Sequence, residues 1–212
     1  MSVSLRVRAA GEPNRRTAIL NVAAELFARK GVAATTVREI ADEAGILSGS
    51  LYHHFDSKEV MVEEIFTAYF DELTTKWDEI LAQPTRAVDK FEAMYREAVL
   101  AVDRHTAAAR MFTNEWESLR HIGDFSERWS SIEKLWLRVI RKAVSEGDFR
   151  SDLDPFLLYS FAMDSIRGLA GWYRENKRYP IGAVSDAYAN VLLTGVAPLR
   201  ASPKGAKGST GR

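Results

Sequence analysis

The chain is expected to be all-α: an N-terminal three-helix helix-turn-helix domain joined through a long fourth helix to a larger helical domain. Three observations predict this. Apolar residues recur at the three-and-four spacing of amphipathic helices along most of the 212 residues, with no convincing strand. Cap residues and glycines punctuate those stretches as starts and stops. The run from Thr36 to Glu59 reads as a helix, a Gly-containing turn and a second, short helix.

Ile19, Val22, Ala23, Leu26 and Phe27 form the buried face of a first helix that ends at Gly31. Thr36 and Glu39 stand in a capping-box relationship, so the second helix starts at Thr36. Val37, Ile40, Ala41 and Ala44 continue one buried face, and Gly45 stops it because a residue without Cβ takes positive φ at little cost. Leu47, Leu51 and Phe55 are expected to be the buried stripe of the third helix. At about 100° per residue this turns Gly49, Ser50, Tyr52 and His53 outward. A face with no side chain at its centre, flanked by hydroxyls and an imidazole, suits the major groove of DNA.

Asp56 and Glu59 are expected to cap the fourth helix, which runs to about Leu81 before Gln83 and Pro84 break it. Phe91, Met94, Tyr95, Ala98 and Val102 mark the fifth helix. Phe112, Glu115, Trp116 and Leu119 mark the sixth, and Phe125, Trp129, Ile132, Trp136 and Ile140 the seventh, ended by Gly147. Asp154 and Pro155 are an N-cap and first-turn pair opening an eighth helix to about Tyr173. The ninth spans about Val184 to Thr194. The resulting organisation is a flexible basic arm (1–13), a DNA-binding unit (14–60), a ligand-binding and dimerisation unit (61–197) and a disordered tail (198–212), with the boundary inside the fourth helix.

The eighth helix is apolar nearly all round, from Phe156, Leu157 and Leu158 to Trp172 and Tyr173, and such a helix is buried on every side. With Ala187, Tyr188, Val191 and Leu192 on the ninth, it predicts a two-fold four-helix interface and hence a homodimer, whose symmetry matches a palindromic operator.

Composition narrows the function classes. Cysteine is absent, which excludes disulfides, a thiol nucleophile and a thiolate metal site. No apolar run approaches the roughly 20 residues that span a membrane, and the N-terminus lacks the apolar segment of a secretory signal. A cytoplasmic protein with no membrane partner is expected. Net charge is zero, against the basic balance common in nucleic-acid binders. The charge is uneven, however: Arg6, Arg8, Arg15 and Arg16 face only Glu12 over residues 1–16, and Arg200, Lys204, Lys207 and Arg212 face no acid over residues 198–212. Catalysis is not expected. No nucleophile elbow, phosphate-binding glycine loop or metal-ligand spacing occurs, and His105 and His121 stand alone. No metal or cofactor is implied.

Between Asn14 and Phe66 the chain resembles the DNA-binding domain of the TetR family of bacterial regulators. The segments Ala23 to Phe27, Gly31-Val32, Thr35 to Ala41, Ala44-Gly45 and Leu51 to Lys58 carry the resemblance. Ala44 to Phe55, with the later loop Gly147 to Asp154, is similar to an actinobacterial branch that controls lipid and steroid breakdown and responds to coenzyme A thioesters. The resemblance implies a homodimeric repressor released from its operator by a small molecule, first an acyl-CoA thioester or related catabolite. A regulator of a multidrug efflux pump induced by cationic drugs is the rival, with Glu115, Glu117 and Asp164 as acidic pocket walls. A helical enzyme or ligand-binding protein with a vestigial helix-turn-helix is the alternative of another class.

Candidate DNA contacts are Thr36, Arg38, Ser48, Gly49, Ser50, Tyr52, His53 and Lys58. Thr36 offers a helix N-terminus to a phosphate besides its capping. Lys58, a cation in a first helical turn, opposes the macrodipole unless a phosphate lies nearby. The resemblance implies phosphate binding by Lys58 and Tyr52, and base reading from Ser48, Gly49, Ser50 and His53. Arg38 either reaches DNA or pairs with Asp42, and His54 packs. Candidate ligand contacts are Met94, Arg110, Met111, Phe112, Trp116, Trp136, Met163 and Arg167, a set of large adaptable side chains with cations among them. Plain core is the alternative for the apolar ones. An Asp164–Arg167 ion pair is the alternative for Arg167.

Overall fold

The computed structural model describes residues 15–119, 121–173 and 178–198, without the side chains of 116–119. The expected arm, and the expected tail beyond Pro198, lie outside the described residues. Among the described residues there are nine α-helices and no strand: α1 (Arg15–Lys30), α2 (Val37–Glu43), α3 (Ser48–Leu51), α4 (Lys58–Leu81), α5 (Ala87–Arg104), α6 (Thr106–Leu119), α7 (Phe125–Ser145), α8 (Pro155–Trp172) and α9 (Ile181–Val196). No helix among the described residues is long and apolar enough to cross a membrane.

Local signals in the sequence are met where they are strongest. Thr36 is the N-cap of α2, and both halves of its capping box with Glu39 are present. Gly45 ends α2 with φ +65°. Asp154 accepts hydrogen bonds from the Phe156 and Leu157 backbone N–H groups, with Pro155 in the first turn of α8. Three boundaries differ. Ser57, not Asp56, caps α4, its hydroxyl accepting from the Val60 N–H at 3.2 Å. Helix α9 starts at Ile181, because Pro180 presets an extended backbone before it. Regular α3 is only four residues long, and the chain continues through turns to Phe55.

Helices α1 to α3 pack around Ile19, Phe27, Ile40, Leu51 and Phe55, closed from below by Met61 and Val62 of α4. Leu47 departs from expectation. It is the N-cap of α3 and 79% exposed, not part of a buried stripe, because α3 begins after it and points the position away from α1 and α2. In the larger part, α5 is central, packed by α4, α6, α7, α8 and α9. Helix α6 also packs along α1, so the two parts meet over a second surface besides α4.

Helix α8 splits by face. Leu158, Ala162, Met163, Ile166 and Leu169 are buried in the chain, while Phe156, Leu157 and Phe161 are exposed. On α9, Leu192 is buried at 4% and Val191 is exposed at 70%. The outward face is thus Val191, and Leu192 belongs to the chain's own core.

Candidate nucleic-acid interface and ligand cleft

Gly49, Tyr52 and His53 are exposed around α3, with Ser48 and Ser50 half-buried between them and the core. A Cβ added at Gly49 would meet nothing within 4 Å. Internal packing therefore does not demand glycine there, and the bare backbone is open to whatever approaches. Thr36 and Arg38 are exposed beside this face. Arg38 lies 3.8 Å from Asp42, both highly exposed. An exposed pair of this kind stabilises by at most about 1 kcal/mol, so Arg38 remains free to turn to a partner. His54 packs against Phe55, as expected.

Lys58 has a protein partner that its sequence position did not reveal. Its Nζ donates to the carbonyls of Val32 at 2.8 Å and Thr35 at 2.7 Å. The macrodipole penalty is some tenths of a kcal/mol. Hydrogen bonds from a charged donor contribute about 1.5–3 kcal/mol, so the two carbonyls alone outweigh it. Lys58 thereby fixes the turn that leads into Thr36.

Two arginines counted with the basic N-terminus are also engaged. Arg16 grips Glu64 with both guanidinium nitrogens, at 2.6 and 2.5 Å, and lies 4.2 Å over the Phe55 ring. Arg15 donates to the Gly45 carbonyl at 3.3 Å. Glu39 is held from the other side by Lys30 at 2.5 Å. That ammonium, with the Thr36 N–H and hydroxyl, pushes the Glu39 carboxyl down to about 2.

Helix α6 reaches the same turn. Glu115, where α6 leaves helical geometry (φ −127°, ψ 21°), accepts a hydrogen bond from the Val32 backbone N–H at 2.7 Å. A Cβ at Gly31 would lie 2.8 Å from the same carboxylate oxygen, so the glycine makes room for it as well as supplying φ +89°. Val32 is held through its N–H by α6 and through its carbonyl by α4.

A narrow cleft with about 40 Å³ of free room lies among α4 to α8. Aromatic walls come from Tyr69, Phe70, Trp77, Phe112 and Trp129, and aliphatic ones from Leu73, Ile132, Met163 and Ile166. Thr113 and Arg167 line it as well. The Thr113 hydroxyl donates to the carbonyls of Ala109 and Arg167, and the Arg167 guanidinium pairs with Asp164.

Of the expected ligand contacts, Phe112, Met163 and Arg167 line this cleft. Met94, Met111 and Trp136 do not. They are wholly buried in the core, where Trp136 meets Trp77 and Phe91 edge to face and the Met94 carbonyl accepts from the Trp77 indole N–H. Arg110 is half-buried away from the cleft, and the Trp116 side chain lies outside the described residues. The α4 wall was missed. Tyr69, Leu73 and Trp77 recur every fourth residue, a stripe that was visible in the sequence of a helix read only as a connector.

Neither Glu115 nor Asp164, considered as acidic walls for a cationic ligand, lines the cleft. Glu115 is committed to Val32, Asp164 is exposed beside Arg167, and the Glu117 side chain lies outside the described residues. Among the described residues no acidic or histidine cluster could hold a metal ion.

Known proteins agree with this architecture at both ends of the chain. Residues 19–65 match the bacterial regulatory proteins of the tetR family, and residues 84–196 match a tetracyclin repressor-like C-terminal domain. The HTH-type transcriptional repressor KstR2 of Rhodococcus jostii is 40% identical over 190 residues, covering 88% of this chain and 93% of that protein. KstR2 of Mycobacterium tuberculosis is 36% identical over 193 residues, 89% of this chain and 96% of its own. The solved structure of that ketosteroid transcriptional regulator superposes with a TM-score of 0.82 at 35% identity, over 89% of this chain and 98% of the other. The chain belongs to the tetR family of bacterial regulatory proteins, helix-turn-helix transcriptional repressors rather than enzymes.

Proposed function

We propose that this protein is a cytoplasmic repressor of a catabolic operon, bound to a palindromic operator as a homodimer and released by a coenzyme A thioester of a multi-ring or other bulky acyl group. Residues 14–60 are the DNA-binding unit in this reading and 61–197 the ligand-binding and dimerising one. The observation that carries it is the cleft, walled by aromatic and aliphatic side chains with Arg167 as the charged group and no carboxylate among the described residues that line it. An apolar body with an anionic end suits those walls better than a cationic drug does. The cleft holds only about 40 Å³ of free room, so in this reading its side chains part to admit the acyl group and the coenzyme A moiety stays outside. The likeness to KstR2, described as a ketosteroid regulator, favours a steroid-derived acyl group.

Coupling to DNA runs through α6. Ala109, Phe112 and Thr113 line the cleft, and Glu115, two residues further, holds the Val32 turn. A ligand releases the operator only by binding the DNA-incompetent arrangement more tightly, and displacement of α6 would supply that difference.

Thermal melting and operator binding of the purified protein, each with a panel of acyl-CoA thioesters and of cationic dyes, test the reading. A thioester is expected to raise the melting temperature and weaken operator binding, with both effects lost in Arg167→Met. Stabilisation by cationic dyes alone would transfer the protein to the efflux-pump class.

A further inference from the structure

We propose that Leu47 reads a base: its side chain packs against the 5-methyl group of a thymine in the major groove. The inference rests on the DNA-binding reading above and adds a residue that sequence patterning had assigned to the core. Leu47 is the most exposed large apolar residue among those described, at 79%, and it occupies the N-cap of the helix that would enter the groove. That position ordinarily carries Ser, Thr, Asp or Asn, whose side chain accepts a hydrogen bond from the first turn. Leu47 makes no such bond, although its backbone carbonyl accepts properly from Ser50 and Leu51. The residue therefore combines the most exposed large apolar side chain among the described residues with a helix start that its side chain does not cap. What singles it out is its place, next to the exposed face of the helix-turn-helix.

The neighbourhood selects the partner. The other strongly exposed apolar side chains, Leu157, Phe161 and Val191, belong to α8 and α9, whereas Leu47 is adjacent to Ser48 and the open backbone of Gly49. Leucine has no donor or acceptor, so it cannot bond a phosphate or a polar base edge. The thymine methyl is the one apolar feature that a base pair presents in the major groove. Ser48, Ser50 and His53 are permissive readers, and Leu47 beside them would contribute a preference for thymine that hydroxyls lack.

Operator DNA selected by the full-length protein from a random-sequence duplex library tests this, with each thymine then replaced in turn by deoxyuridine, which differs only by the methyl. One thymine per half-site is expected at which the wild-type protein loses about fourfold in affinity on that exchange, the worth of one methyl-sized contact. Leu47→Ser and Leu47→Ala should bind the thymine and uracil duplexes equally. Leu47→Ser should also melt no lower than wild type, since serine restores the cap. Wild type and variants responding alike to every thymine exchange, or losing affinity equally for all duplexes, would overturn the proposal. Failure of the library to enrich any sequence would overturn the DNA-binding reading itself, a distinct result.

Discussion

Glu115 accepts a hydrogen bond from the Val32 backbone N–H at 2.7 Å, from the point where α6 departs from helical geometry. The relationship joins a residue two positions from the cleft wall to the turn that opens the helix-turn-helix. A break in a helix beside a cavity gives α6 a place to change course when the cavity fills, and the Val32 N–H would follow it.

Removing that bond should separate the two activities. Glu115→Ala is expected to retain operator binding while the ratio of operator Kd with and without effector falls towards one. Glu115→Gln keeps an acceptor and should lie between. Loss of a charge-assisted bond at a half-exposed site should lower stability by about 1 kcal/mol. Fluorescence anisotropy titrations of labelled operator, with and without ligand, measure the ratio. An unchanged ratio in the alanine variant would remove Glu115 from the coupling path.

Acid should remove the stability that the Glu39 carboxylate contributes at the start of α2. Lys30 and the Thr36 cap hold the Glu39 carboxyl at about 2, below its ordinary value of 4.5. A depressed folded-state pKa means that the stabilisation is fully present above pH 4.5 and is lost as pH falls from there towards 2. The melting temperature of wild type should therefore drop more steeply between pH 5 and 3 than that of Glu39→Gln, as followed by circular dichroism. Parallel curves would mean that the carboxylate contributes nothing.

Lys58→Met leaves the Val32 and Thr35 carbonyls without their ammonium. It should destabilise the protein by about 1–3 kcal/mol and weaken binding to every DNA sequence alike. If the lysine also neutralises a phosphate, the slope of log K against log salt becomes shallower by about one for each phosphate no longer neutralised. The expected result is both effects. A slope identical to wild type would assign Lys58 to positioning alone.

Charge on the outward faces of α8 and α9 should break the proposed dimer without unfolding the chain. Phe161 and Val191 are 60% and 70% exposed in the monomer, so Phe161→Arg or Val191→Arg leaves its core untouched. An unpaired charge buried at an interface costs several kcal/mol. Each variant should sediment as a monomer at micromolar concentration, keep its helical signal and lose operator binding. Leu192→Arg, by contrast, should lose helical signal because Leu192 is core. A Phe161→Arg/Val191→Arg double variant that remains dimeric would place the interface elsewhere.

What the sequence determined alone was local. The Thr36–Glu39 box, the glycine stop at Gly45, the Asp154–Pro155 start and the helical periods each depend on residues within a turn or two, where spacing fixes geometry. The family of the helix-turn-helix was legible for the same reason, being a string of such local requirements at fixed intervals. Only the tertiary structure decided which helix covers which face. Periodicity makes Leu47 and Leu51 equally apolar, and Leu192 scarcely more so than Val191, yet the fold buries Leu51 and Leu192 and exposes the other two. Met94, Met111 and Trp136 looked like pocket residues and are core, while Tyr69, Leu73 and Trp77 looked like the shaft of a connecting helix and line the cleft. Glu115 and Lys58 find backbone groups 83 and 26 residues away. Such pairings arise from how whole helices cross, and a helix's own sequence specifies an apolar face without specifying what will lie against it.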